Sequence, residues 1–303
     1  MLKLSLKKSP INRISILLLF VIKSFTFGEN CIYVRVLDGN NIRIIELEEY
    51  IAGVVAKEMG ENWPIEALKA QAVVSRTYLI WQLERNKKNR TYDIENSVFT
   101  QLYGDCKSQK IKTAVLETKG EILTDENGKI VPVFFHACSG GITTNPSEVW
   151  KGKYPFDYSV IDPYSEDSIY SNWEKEIPKK YISKIFKDDI EKIEIIEKDK
   201  TGRVKLLKMI TKNGKFIYLN GNEFRLNINQ NTSNCFSDKF LIPSTLFEIE
   251  DKGDSIVFMG KGYGHGVGMS QHGAKKMAEI GFSYKDILNF YFSGLQIKKI
   301  KND

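Results

Sequence analysis

Between residues 47 and 59 apolar side chains recur about every 3.6 residues, placing Leu47, Ile51, Val54 and Val55 on one face of a helix. At about 100° per residue, Glu58 falls within about 20° of Leu47 and Ile51, so a carboxylate occupies the buried stripe. Gly60 is the expected cap. Desolvation and the negative end of the helix dipole both disfavour the charged carboxylate there. A carboxyl held protonated in this way suits a general acid. The spacing predicts a second helix from Ile65 to about Glu84, entered through Asn62-Trp63-Pro64, with Ile65, Leu68, Ala72, Leu79 and Leu83 on one side. Arg76 lies within about 20° of Ile65 and Leu83, and Lys69 within about 20° of Arg76. Either Glu58 and Arg76 form a structural ion pair, which would lower the Glu58 pKa, or the two cations border a site.

Elsewhere the pattern favours strands. Residues 32–46 alternate around Asp38-Gly39-Asn40 as a hairpin, a short helix is expected over 110–118, and strands over 120–124 and 130–135 flank the turn at 125–128. The apolar strand ends in His136-Ala137-Cys138-Ser139-Gly140-Gly141, a permissive loop of the kind on which sites are built. Residues 150–180 read as irregular connection, followed by a charged helix to about Lys187. Strands at 193–196, 203–211 and 215–219 form an antiparallel meander, so charged that a solvated outer lobe is expected over about 178–230. A hairpin at 244–259 feeds Gly260-Lys261-Gly262-Tyr263-Gly264-His265-Gly266-Val267-Gly268. These glycines cost chain entropy, so the permissive backbone must serve close approach to a ligand or to another strand. Ser270 is expected to cap a helix ending at Gly281, and Ser283 to begin a last helix with Ile287, Leu288, Tyr291 and Phe292 as core. The predicted class is α+β: an antiparallel β-sheet core with packed amphipathic helices, in one domain over 29–303.

Composition narrows the partners. Residues 1–28 carry a basic stretch, an apolar run from Ile14 to Ile22, and Thr26 and Gly28 spaced as before a signal-peptidase cut, so export is expected, with an uncleaved membrane anchor as the alternative. That segment holds five cations (Lys3, Lys7, Lys8, Arg13, Lys23) and no acid, so its removal takes the formal charge from +6 to +1. A nucleic-acid partner is therefore not expected. Cys31, Cys106, Cys138 and Cys235 contain no C-x-x-C pair and allow up to two disulfides of undetermined connectivity, with free buried thiols the equal alternative for one or two of them. With three histidines, a metal site would need His136 and Cys138 plus a distant partner, and no metal or other cofactor is expected. The glycine block lacks both the βαβ context of a dinucleotide loop and the P-loop spacing.

The chain resembles the stage II sporulation protein D and amidase-enhancer family. The resemblance rests on Lys57-Glu58-Met59, Glu66-Ala67-Leu68-Lys69-Ala70-Gln71-Ala72, Arg76-Thr77-Tyr78, Phe135 to Gly141, Glu148-Val149-Trp150, Glu223-Phe224-Arg225, Ser244 to Phe247 and the block from Gly262 to Gly294, in family order. It implies an exported, cell-envelope lytic transglycosylase acting on peptidoglycan glycan strands freed of stem peptides, with Glu58 as the catalytic acid. In such chemistry the sugar's own 6-hydroxyl replaces water, so one carboxyl can act as acid and then as base. Lys69 or Arg76 could pair with the lactyl carboxylate of a bare muramic residue. Gln71, His136, Ser139, Gly140, His265, Ser270 and Gln271 are candidate sugar or water ligands, the alternative being loop-fixing hydrogen bonds. Some members carry zinc near the His-containing loop, but Ile142, Thr143, Thr144, Asn145 and Pro146 fill those positions here. The other reading is a binding protein that engages a cell-wall amidase.

Overall fold

The computed structural model describes residues 31–85, 91–97, 100–156, 159–232 and 240–300; the export segment expected over residues 1–28, and Cys235, lie outside the described residues. The architecture is α+β. Strands β1 (Tyr33–Asp38) and β2 (Asn41–Glu46) form the expected antiparallel hairpin, closed at Gly39 with φ +60°, and β3 (Ile94–Glu95) adds parallel to β1. Helix α1 (Leu47–Glu58) follows directly, its first turn capped by Glu46, whose carboxylate accepts from the Glu49 N–H. Gly60 does not cap it. The end passes through extended Met59, and a Cβ on Gly60 would meet the Trp63 ring at 3.0 Å, so packing is what Gly60 accommodates.

Helix α2 (Ile65–Arg85) departs from the amphipathic reading, since every residue from Ala67 to Leu79 except Lys69 is buried. Ala67, Ala70, Ala72, Ser75 and Thr77 are small, so neighbours can approach on every side. It is a central core helix. Around it pack α1, α3 (Gln109–Glu117, capped by Ser108) and β4 (Glu121–Thr124), together with the C-terminal helices described below. The strand expected over 130–135 reduces to a bridge between Thr124 and Ile130 and to β5 (Phe135–His136).

Beyond α4 (Pro146–Val149), the stretch expected to be irregular ends in strand β6 (Trp173–Pro178), which leads into α5 (Lys179–Phe186). The meander is present as β7 (Ile190–Lys198), β8 (Val204–Thr211) and β9 (Phe216–Asn220). An unexpected helix, α6 (Gly221–Thr232), follows it, then the hairpin of β10 (Leu246–Asp251) and β11 (Ser255–Lys261), which pairs with β6. The solvated-lobe expectation is corrected by a second core. Ile193, Val204, Leu207 and Met209 of the meander pack with Phe224, Ile228, Phe247, Ile256 and Phe258, so one face of the charged sheet is fully used. Charge on alternate residues marks only the other face.

The chain ends with β12 (Met269–Ser270) parallel to β5, α7 (Gln271–Glu279), α8 (Tyr284–Tyr291) and β13 (Gln296–Lys299) against β4. Ser270 caps α7 as expected, Gly281 takes φ +97° just beyond it, and Ser283 and Asp286 form a reciprocal capping box on α8. Cys31, Cys106 and Cys138 are free thiols. No described helix is long and apolar enough to cross a membrane.

Candidate active site

Glu58 is the last residue of α1 and lines a cleft of about 560 Å³ with Tyr78, Leu102, Phe134, His136, Trp150, Arg225, Tyr263, His265 and Gln271. Burial pushes its pKa up, while hydrogen bonds from the Leu102 N–H and the Gln271 amide act against that rise. The Gln271 amide is itself held. Its Nε2 donates to Gln71 Oε1 (3.4 Å), Gln71 Nε2 donates to Ser75 Oγ (3.0 Å), Gln101 Nε2 donates to the Ser75 carbonyl (3.2 Å), and the Tyr50 hydroxyl donates to Gln101 Oε1 (3.4 Å). An amide nitrogen has two N–H groups, so Gln271 can satisfy Gln71 and Glu58 together. Gln71 thus acts from behind, fully buried, and the chain runs from the core to the carboxyl.

The glycine block explains the rest of the wall. Gly262, Gly264 and Gly268 have positive φ, and a Cβ on them would meet the Cys138 carbonyl at 2.7 Å, His136 Cβ at 3.0 Å and the Phe134 carbonyl at 2.1 Å. The permissive backbone therefore serves another stretch of chain. It seats two neutral histidines whose rings lie 5.6 Å apart. His136 Nδ1 lies 3.1 Å from the Val267 carbonyl, which fixes the proton on that nitrogen and leaves buried Nε2 as an acceptor without a partner among the described residues. His265 has the opposite tautomer, accepting the Val267 N–H on Nδ1 (3.1 Å) and bonding the Phe135 backbone. Burial, His265 and Arg203 drive the His136 pKa well below its ordinary value; burial, Arg225 and Arg203 bring His265 down to about 3.

Several expected ligands lie elsewhere. Arg76 does not meet Glu58: it is fully buried and gives Nη2 and Nε to Glu48 (2.5 and 3.2 Å) and Nη1 to the Glu121 carbonyl (3.0 Å), while Glu48 also takes the Gly120 N–H. Lys69 is ion-paired to Glu66 (2.7 Å) and Glu117 (2.6 Å). Ser139, Gly140 and Ser270 belong to a buried knot. Ser139 Oγ donates to Asp162 (2.7 Å) and meets Ser165 Oγ (2.6 Å), Ser270 Oγ accepts the Ser139 and Gly273 N–H groups, and Gly140 abuts the Gly262 backbone. These residues fasten the loop; the cleft gains Glu58, His136, His265 and Gln271. Among the described residues no group of three or more His, Cys, Asp or Glu comes together as a metal site.

Sequence reasoning missed the opposing wall. Phe134 and Trp150 meet at a tilt of 45° with centroids 4.8 Å apart, the Trp150 ring centroid lies 4.9 Å from that of His265, and Arg225 enters from α6. Trp150 and Arg225 stand in the short motifs quoted above, which was the only signal. Aromatic faces beside hydrogen-bonding groups suit a sugar ring, apolar on its faces and polar at its rim.

Residues 38–124 match the family model for stage II sporulation protein, and residues 162–268 match one described as a domain of unknown function. Stage II sporulation protein D of Bacillus amyloliquefaciens is 32% identical over 287 residues, covering 86% of this chain and 76% of that protein. An uncharacterized protein of Brachyspira hyodysenteriae is 31% identical, covering 84% of this chain and 67% of its own length. The amidase enhancer of Bacillus subtilis is 28% identical, covering 80% of this chain and 39% of that protein.

Proposed function

The chain belongs to the stage II sporulation protein D family, and from that premise and the chemistry of the cleft we propose that it is a lytic transglycosylase of the cell envelope, cleaving peptidoglycan strands freed of stem peptides during sporulation or division. One observation carries the reading. Glu58 is the only carboxyl among the described residues lining the cleft, and burial raises its pKa. A glycosidase that uses water needs a second carboxylate, as nucleophile or as base. A transglycosylase does not, because the substrate brings its own nucleophile.

In the first step the Glu58 carboxyl gives its proton to the glycosidic oxygen as the bond from that oxygen to C1 of muramic acid breaks, freeing the 4-hydroxyl of the departing sugar. The Glu58 carboxylate then takes the proton of the muramic 6-hydroxyl as that oxygen bonds to C1, leaving a 1,6-anhydromuramic end and restoring the acid. Gln271 orients the carboxyl in both protonation states, and Trp150 and Phe134 offer the sugar an apolar face. No cofactor enters the scheme. Residues 1–28 would direct export.

The amidase enhancer among the relatives favours a second reading, in which the cleft holds glycan without cutting it and the protein enhances an N-acetylmuramoyl-L-alanine amidase. Mass spectrometry of purified bare strands after incubation with the protein separates the two. The first reading expects anhydromuramic ends without uptake of water. Intact strands, with faster release of peptides when an amidase is added to whole peptidoglycan, would contradict it and favour the second.

A further inference from the structure

We propose that Arg225 selects bare strands by pairing with the lactyl carboxylate that a muramic residue exposes once its stem peptide is removed; this rests on the cleft being the glycan site. Arg225 is partly buried and lines the same cleft as Glu58. Its Nε and Nη2 both donate to Asn222 Oδ1, at 3.2 and 3.1 Å. That oxygen fixes the plane of the guanidinium but brings no charge. Among the described residues no carboxylate pairs with it, in contrast to Arg76 and Lys69, whose charges are cancelled by Glu48, Glu66 and Glu117.

The surroundings make this end of the cleft electropositive. Burial brings the Arg225 pKa down to about 10, and the field of Arg225 and Arg203 acts on His265. Both cleft histidines are neutral, so neither competes with Arg225 for an anion, and a protonated Glu58 adds no like charge. A guanidinium with its fork held in place and its charge uncompensated recognises a planar carboxylate. In a strand that keeps its peptides the lactyl group is a neutral amide. The same residue would thus favour the bare strand and leave the decorated one without a charge partner.

The test uses the Glu58→Gln protein, which keeps strands intact, and calorimetric titration with three soluble glycan oligomers: bare, bare with lactyl carboxyls amidated, and peptide-bearing. Bare oligomers should bind at least about tenfold tighter than the other two, as a charge-assisted pair would give. Adding Arg225→Gln should erase that preference and leave the amidated oligomer within about twofold, whereas Arg225→Lys should retain part of it. Equal binding of bare and amidated oligomers by the parent, an unchanged preference after Arg225→Gln, or equally tight binding of peptide-bearing oligomers through their own carboxylates would overturn the assignment. Binding of none of the three would instead overturn the glycan reading of the cleft.

Discussion

The two ends of α1 each carry a carboxylate toward the interior, and they answer burial differently. Glu48, in the first turn, meets a fully buried guanidinium and a backbone N–H, so its charge is matched in place by Arg76 and Gly120. Glu58, ten residues on by number, meets no cation among the described residues and is held by an amide side chain and the Leu102 N–H, so burial raises its pKa. The first arrangement makes structure, and the second leaves a carboxyl with a raised pKa, which the proposed function uses as its proton donor. A buried carboxylate is thus assigned by its partner rather than by its depth.

Breaking the structural end should have the larger effect on stability. Arg76→Met leaves Glu48 uncompensated among α1, α2 and β4, and should destabilise by about 3–5 kcal/mol, read from denaturant unfolding. Adding Glu48→Gln should recover much of the loss, which a double-mutant cycle would record as strong coupling. If Arg76→Met instead melted like the parent but lost only substrate affinity, the contrast between the two ends would fail.

A smaller effect is expected one bond away from the acid. Gln271→Leu removes the side-chain hydrogen bond that lowers the Glu58 pKa, so the limb of the pH–rate profile set by that carboxyl should move up, with a rate loss of about tenfold at the optimum. Gln71→Leu should act in the same direction but more weakly, because it touches Glu58 only through Gln271. An unmoved limb in Gln271→Leu would mean that this amide does not govern the carboxyl.

The smallest effect concerns stability against pH. A carboxyl whose pKa is higher folded than unfolded binds more protons in the folded state, so its burial costs stability above the folded pKa, and the cost disappears as pH falls below the ordinary carboxylate value near 4.5. Glu58→Gln removes that cost. The variant should melt at the parent's temperature or about 1–3 °C above it at pH 7, with the advantage shrinking toward pH 4. A variant clearly less stable at pH 7 would assign Glu58 to structure after all.

The sequence makes the Glu58 end legible because a carboxylate in the last turn of an apolar stripe violates the period. Arg76 is equally anomalous, yet its partner is not readable: acids in a first turn are ordinary, and nothing local to Glu48 announces a guanidinium from the next helix. Hairpins, capped helices and the meander follow from alternation, turn residues and Ser caps. Helix α6 escapes because Asn222, Asn227, Asn229 and Asn231 are poor helix formers and only tertiary packing of Phe224 and Ile228 holds it. Strand β6 is hidden by Glu174, Lys175 and Glu176, three successive charges whose pairing with β11 lies about 80 residues downstream. The use of the glycines was likewise open, since close approach to a ligand and to another strand look alike until Cys138, His136 and Phe134 are seen against them.

The central claim, that Glu58 supplies the proton, is tested most directly by product analysis of Glu58→Gln beside the parent on the same bare strands, with binding and melting measured on the same samples. The account predicts strand binding within about threefold of the parent, an unchanged or higher melting temperature, and loss of anhydromuramic ends by at least about a thousandfold, since Gln keeps the size of the side chain but has no carboxylic proton to give. Anhydromuramic ends formed at the parent's rate by a folded Glu58→Gln protein would contradict it.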